Sequence, residues 1–133
     1  MACKILIVDD DPTSLFLHQS LIVKSGLCAN PDQFLNGEEA LEFLEAYEGN
    51  QDSFLVLLDL AMPVMDGWEF LEKLEQKDFP FRIDVAVVTS SIEKSDRIRA
   101  EKSPFVSAYL IKPIFNLDEL RKIVNGSNIE VSS

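Results

Sequence analysis

Short aliphatic runs along this chain alternate with stretches whose apolar residues recur every three or four positions. Runs this short and this aliphatic read as strands buried on both faces of a parallel sheet, and the longer period reads as amphipathic helix. The first run, Lys4-Ile5-Leu6-Ile7-Val8, stops at Asp9-Asp10-Asp11. Asp11-Pro12 then opens a helix, because Asp caps a helix end and proline suits the first helical position; Gly26 stops it after Ser25. A short second strand falls within Cys28–Leu35, where Pro31 points to an edge position. Asn36 with Glu39 forms a capping pair, and Ala40, Phe43, Leu44 and Tyr47 follow at helical spacing.

Phe54–Leu58 is the third strand. Asp66 and Glu69 repeat the capping spacing ahead of Phe70, Leu71 and Leu74, and Val85–Val88 is a fourth strand ending at Thr89-Ser90-Ser91. Ser95-Asp96 opens a short helix, and Val106–Ile111 is a fifth strand ending at Lys112-Pro113. Asn116 and Glu119 cap a last helix that faces the core with Leu117, Leu120 and Val124 and ends at Gly126. Strand and helix thus alternate five times, which predicts an α/β protein of (βα)5 order with a doubly wound, five-stranded parallel sheet. Residues 1–126 form one domain and 127–133 a frayed tail.

Composition narrows the function. The 133 residues are 47 % hydrophobic, enough for one globular core. Lys and Arg number 12 against 23 Asp and Glu, a net charge of −11 that repels nucleic acid and anionic lipid. No apolar run approaches a membrane span, and Met1-Ala2-Cys3-Lys4 leads straight into a strand with no room for a signal peptide. The expectation is a cytoplasmic protein in which Cys3 and Cys28 stay reduced. No CxxC or Cys/His cluster suggests zinc.

The chemistry centres on Leu55-Val56-Leu57-Leu58-Asp59-Leu60-Ala61-Met62-Pro63-Val64-Met65-Asp66-Gly67, where the most apolar run ends abruptly in a carboxylate. Open α/β sheets bind ligands at the carboxyl ends of their strands. Asp9-Asp10, Asp59, Thr89 and Lys112 all stand at such ends, so they converge on one pocket. Clustered carboxylates resist full ionisation without a cation, and oxygen donors without thiolate or imidazole favour hydrated Mg²⁺.

Four motifs carry a family resemblance: Ile7-Val8-Asp9-Asp10, Asp59 through Gly67, Val88-Thr89-Ser90, and Tyr109-Leu110-Ile111-Lys112-Pro113. Each alone is weak; in this order at their strand ends they are specific. From Cys3 to Val124 the chain resembles the receiver domain of a two-component response regulator, similar to the stand-alone chemotaxis receivers. The resemblance implies a flavodoxin-like sheet of order 2-1-3-4-5. It implies that Asp59 accepts a phosphoryl group from a phosphohistidine, on a sensor histidine kinase or a His phosphotransfer domain. Asp10, Asp59 and the backbone carbonyl of Ala61 would bind Mg²⁺ directly, and Asp9 largely through water. Thr89 and Lys112 would each hold a phosphoryl oxygen, Lys112-Pro113 would be a cis peptide, and Thr89 with Tyr109 would form the family's hydroxyl–aromatic switch. The output would be contact with a downstream protein target. Monomer and homodimer both stay open. The chain would be a phosphoacceptor rather than an enzyme, catalysing only its own phosphorylation and dephosphorylation.

Three other functions compete. A phosphorelay intermediate would pass the group on to a His phosphotransfer protein. A haloacid-dehalogenase-like phosphohydrolase wants a second Asp two residues past the nucleophile, where this chain has Ala61. An FMN-binding flavodoxin-like domain wants a Ser/Thr/Gly phosphate loop after the first strand, where Asp9-Asp10-Asp11 would repel phosphate. Outside the motifs, His18 reads as a surface or partly buried helix residue, near the face that receivers commonly offer to their kinases. Trp68 lies close to the acidic pocket, and Lys94, Arg97, Arg99 and Lys102 read as a solvated face or a docking rim.

Overall fold

The computed structural model describes residues 4–48, 53–112, 114, 118, 119, 121 and 122. Its elements are β1 (Ile5–Val8), α1 (Pro12–Ser25), β2 (Asp32–Phe34), α2 (Gly37–Ala46), β3 (Ser53–Leu58), α3 (Gly67–Gln76), β4 (Arg82–Thr89), α4 (Lys94–Glu101) and β5 (Val106–Ile111). The strands lie in the order β2-β1-β3-β4-β5, and every neighbouring pair is parallel, as the alternating pattern predicts. Asp118, Glu119, Arg121 and Lys122 are helical. The remaining features expected of the last helix (Asn116, Leu117, Leu120, Val124 and Gly126), the tail 127–133 and Pro113 lie outside the described residues.

Local chemistry sets the helix starts. The Asp11 carboxylate accepts the Thr13 N–H at 3.0 Å, that of Asp66 accepts the Glu69 N–H at 2.9 Å, and the Asn36 side-chain oxygen accepts the Glu39 N–H at 2.9 Å. Gly26 closes α1 in the left-handed conformation, φ 77°, which costs a residue without Cβ nothing. Each strand residue points to the face opposite its neighbour's, so the central strands feed two cores. Leu6, Val8, Val56, Leu58, Val85 and Val87 meet Ala40 and Leu44 of α2 and Phe70 and Leu74 of α3. Ile5, Ile7, Leu55, Leu57, Ala86 and Val88 meet Leu15 and Ile22 of α1, and Ile114. Each fully buried side chain of this size contributes about 1.5–3 kcal/mol. Sheet position and helix caps therefore hold the strand ends rigidly on one edge.

Two expectations need correction. β4 begins at Arg82 rather than Val85, because its charged start is paired along one face: Arg82 Nε lies 2.9 Å from Asp84 Oδ2. Cys28 is buried and disulfide-bonded rather than reduced. Counting cysteines and looking for an export signal does not show a disulfide, and the second sulfur lies outside the described residues.

Candidate functional site

The register of the sheet brings the strand ends level. Val8 pairs with Leu58, Leu58 with Val87, and Thr89 with Ile111. The next residues in each strand direction are then neighbours. The Asp59 N–H donates to the Val8 carbonyl at 3.0 Å, and the Lys112 N–H to the Thr89 carbonyl at 2.8 Å. Asp9, Asp59 and Thr89 are buried, with 2 %, 5 % and 2 % of their surfaces exposed, whereas Asp10 is exposed at the mouth.

Lys112 crosses this pocket. Its Nζ lies 2.9 Å from Asp9 Oδ2 and 3.1 Å from Asp59 Oδ2. Burial pulls the ammonium down, but the hydrogen bonds and charges of Asp9 and Asp59 together outweigh it and hold Lys112 above its ordinary value. Burial pushes the Asp9 carboxyl up; the Asp11 N–H, which it accepts at 2.9 Å, and Lys112 oppose that push, and the Asp59 charge adds to it. Oxygens of Asp9, Asp10 and Asp59 all lie within 4.8 Å of one another. Oxygen-only donors at that spacing, two buried and one wet, fit a hard divalent cation that keeps part of its water shell. Ala61, two residues past Asp59, is exposed on the same loop.

The loop after β3 is tightly made. A Cβ on Gly67 would stand 2.5 Å from the Asp59 carbonyl oxygen and 2.8 Å from Leu60 Cα, so only glycine lets α3 start this close to Asp59. Val64 holds a positive φ of 68°, strained for a β-branched residue.

On the far side of the pocket, Thr89 connects to α4 through Ser91. The Ser91 N–H donates to Thr89 Oγ1 at 3.4 Å, the Ser91 hydroxyl donates to Asp96 Oδ2 at 2.7 Å, and the Ser91 carbonyl accepts the Tyr109 hydroxyl at 3.2 Å. Tyr109 is half-buried, with the Arg97 guanidinium 6.0 Å from its ring centre. Beside them, exposed Ile92, Ile98 and Ile111 border an open cleft of about 540 Å³ between α4 and β5. Trp68, expected close to the acidic pocket, instead borders a groove with Glu72, Glu75 and Lys102, where Arg99 stacks 4.1 Å from its ring centre and ties α3 to α4.

Asp9, Asp59, Thr89 and Lys112 thus come together as their strand positions predict. His18 does not stand where the sequence put it. It is 2 % exposed, and its Nε2 accepts the Ile114 N–H at 3.3 Å. Burial lowers the imidazole from its ordinary value, Lys112 lowers it further, and Asp59 opposes. The contact joins residues 96 apart, and no local signal marks it. The Ser91 hub has a weak signal, Ser91 with Asp96 around a helix start.

Fold and site define an α/β domain of flavodoxin-like strand order with an acidic pocket at its strand ends. The chain belongs to the response regulator receiver family, whose model matches residues 5–125. Among curated relatives, it is 32 % identical over 122 residues to the probable methanogenesis regulatory protein FilR2 of Methanothrix harundinacea, covering 90 % of this chain and 77 % of that one. It is 36 % identical over 114 residues to the response regulator Rcp1 of Synechocystis, covering 86 % and 71 %. A crystal structure of a response regulator receiver protein from Dyadobacter fermentans superposes with a TM-score of 0.83 at 27 % identity, covering 97 % of this chain and all of that one. Receiver domains are phosphoacceptor signalling domains rather than enzymes in the ordinary sense, and they work between histidine kinases and downstream targets. Among the described residues no helix is long and apolar enough to cross a membrane.

Proposed function

We propose that this chain acts as a receiver that takes a phosphoryl group onto Asp59 from a phosphohistidine and signals through protein contact at α4 and β5. The observation that carries this reading is the Lys112 ammonium, held 2.9 Å from Asp9 and 3.1 Å from Asp59 in a pocket that is otherwise acidic. An Asp59 oxygen attacks phosphorus in line. The P–O bond forms as the P–N bond to the donor imidazole breaks, and the imidazole leaves with the bonding pair and gains a proton from solvent. Lys112 and the Thr89 hydroxyl stand ready to hold two of the phosphoryl oxygens. Asp9, Asp10, Asp59 and the Ala61 carbonyl are the groups that would hold Mg²⁺, whose charge, when bound, neutralises carboxylates and phosphoryl oxygens together.

Output follows from the Thr89–Ser91–Tyr109 links. When the Thr89 hydroxyl turns toward a phosphoryl oxygen, Ser91 and the Tyr109 hydroxyl on its carbonyl feel the move. These residues border the cleft with exposed Ile92, Ile98 and Ile111, a surface suited to an apolar partner element with acidic edges that meet Lys94 and Arg97. The net charge of −11 argues against direct nucleic-acid readout and for a protein target.

Incubation with acetyl phosphate and Mg²⁺ tests the reading. Intact mass should rise by one phosphoryl group in wild type and by none in Asp59→Asn. An unmodified wild type, or an equally modified variant, contradicts it.

A further inference from the structure

We propose that His18 is a positioning residue for phosphoryl transfer, fixing the segment that carries Lys112 by accepting the Ile114 N–H. The proposal rests on the phosphoacceptor reading above. Lys112 spans from the end of β5 to two buried carboxylates, and its aim depends on how its backbone is held. One hold lies before the side chain: the Lys112 N–H donates to the Thr89 carbonyl at 2.8 Å. The other lies two residues later, where the Ile114 N–H donates to His18 Nε2 at 3.3 Å. The Ile114 side chain, 4 % exposed, packs with Leu15 and Ile22 on the same face of α1 as His18. The chain leaving β5 is therefore clamped to α1 by one polar and one apolar contact.

The chemistry of the imidazole makes the contact conditional. Nε2 accepts only if it carries no proton, so the ring is neutral with its proton on Nδ1. Burial, with the Lys112 cation nearby, favours that neutral form; Asp59 is the opposing charge. The α1 helix begins at Pro12, directly after Asp9-Asp10-Asp11. His18 thus links the helix that follows two of the acidic residues to the segment that supplies their counter-charge. A loose Ile114 would let Lys112 drift from Asp59, and displacements of an ångström in a positioning group cost one to two orders of magnitude in rate.

The test compares His18→Gln, whose side-chain carbonyl can reach the same N–H, with His18→Leu, which packs but cannot accept. Wild-type imidazole ¹⁵N shifts should show a bare Nε2 and a protonated Nδ1 without any phosphodonor present. His18→Leu should remain folded by thermal melt yet take phosphate from acetyl phosphate about tenfold more slowly, with His18→Gln within about threefold of wild type. If His18→Leu fails to fold, His18→Asn, whose shorter amide falls short of Ile114, replaces it in the same comparison. Equal rates in all variants, or a proton on Nε2, overturn the role of His18 while leaving Asp59 as acceptor. A wild type that takes no phosphate overturns the acceptor reading itself and the role of His18 with it.

Discussion

A divalent ion approaching Asp9, Asp10 and Asp59 meets the Lys112 ammonium already bound to two of them, 2.9 and 3.1 Å away. Ammonium and metal compete for the same oxygens. Replacing Lys112 by Met, which keeps an apolar stem, should tighten Mg²⁺ binding about tenfold, roughly 1.4 kcal/mol. Without metal the same variant leaves two buried carboxylates without their counter-charge, Asp9 keeping only the Asp11 N–H, and should lose about 1–3 kcal/mol of stability, less than for a closed site because Asp10 keeps the mouth wet. Thermal melts with and without Mg²⁺ check both effects: the variant should gain more from Mg²⁺ than wild type does. Equal gains would mean that Lys112 does not share oxygens with the ion. At this scale the sequence was informative about which residues meet, because each sits at a strand end. It was silent on the partner of His18, fixed by packing between elements 96 residues apart, and gave only a weak signal for Ser91.

Among the elements, α3 packs directly against the backbone of Asp59, the proposed acceptor. Its first residue, Gly67, touches the Asp59 carbonyl with no room for a Cβ, which would meet backbone at 2.5 and 2.8 Å. Gly67→Ala should cost about 1–3 kcal/mol by overpacking and also slow phosphorylation about tenfold, because the backbone that must yield carries Asp59. Asp66→Ala, which only removes the α3 cap, should cost about 1 kcal/mol and leave the rate near wild type. Denaturant melts and acetyl phosphate kinetics separate the two; equal effects on rate would deny Gly67 its link to Asp59. The α1–β5 connection responds to pH instead. The folded His18 lies below its ordinary 6.5, so between that value and its lower folded value the unfolded chain binds more protons. Its contribution to stability is full above 6.5 and falls as pH drops through that window, by at most about 1.4 kcal/mol per unit. Urea unfolding at mildly acidic and neutral pH should show a shallower acid loss in His18→Gln than in wild type. The strands and helices themselves were legible because aliphatic runs, capping pairs and Gly26 act locally. The start of β4 was not, since Arg82 and Asp84 read as loop until their pairing is seen.

For the whole molecule, the alternating order set the sheet, the sheet set the pocket, and the four motifs set the family that the match over residues 5–125 establishes. The sequence could not show which way Tyr109 faces. Its ring lies half-buried with its hydroxyl on the Ser91 carbonyl, which puts the pocket and the α4–β5 surface in one chain of contacts. The central claim is that this chain of contacts starts with a phosphoryl group on Asp59. It is tested most directly by treating the phosphorylated protein with borohydride, which reduces an aspartyl phosphate to homoserine, and sequencing its peptides by mass spectrometry. Homoserine at position 59 and at no other aspartate is the predicted result; homoserine at Asp9 or Asp10, or phosphate retained on His18, would contradict it.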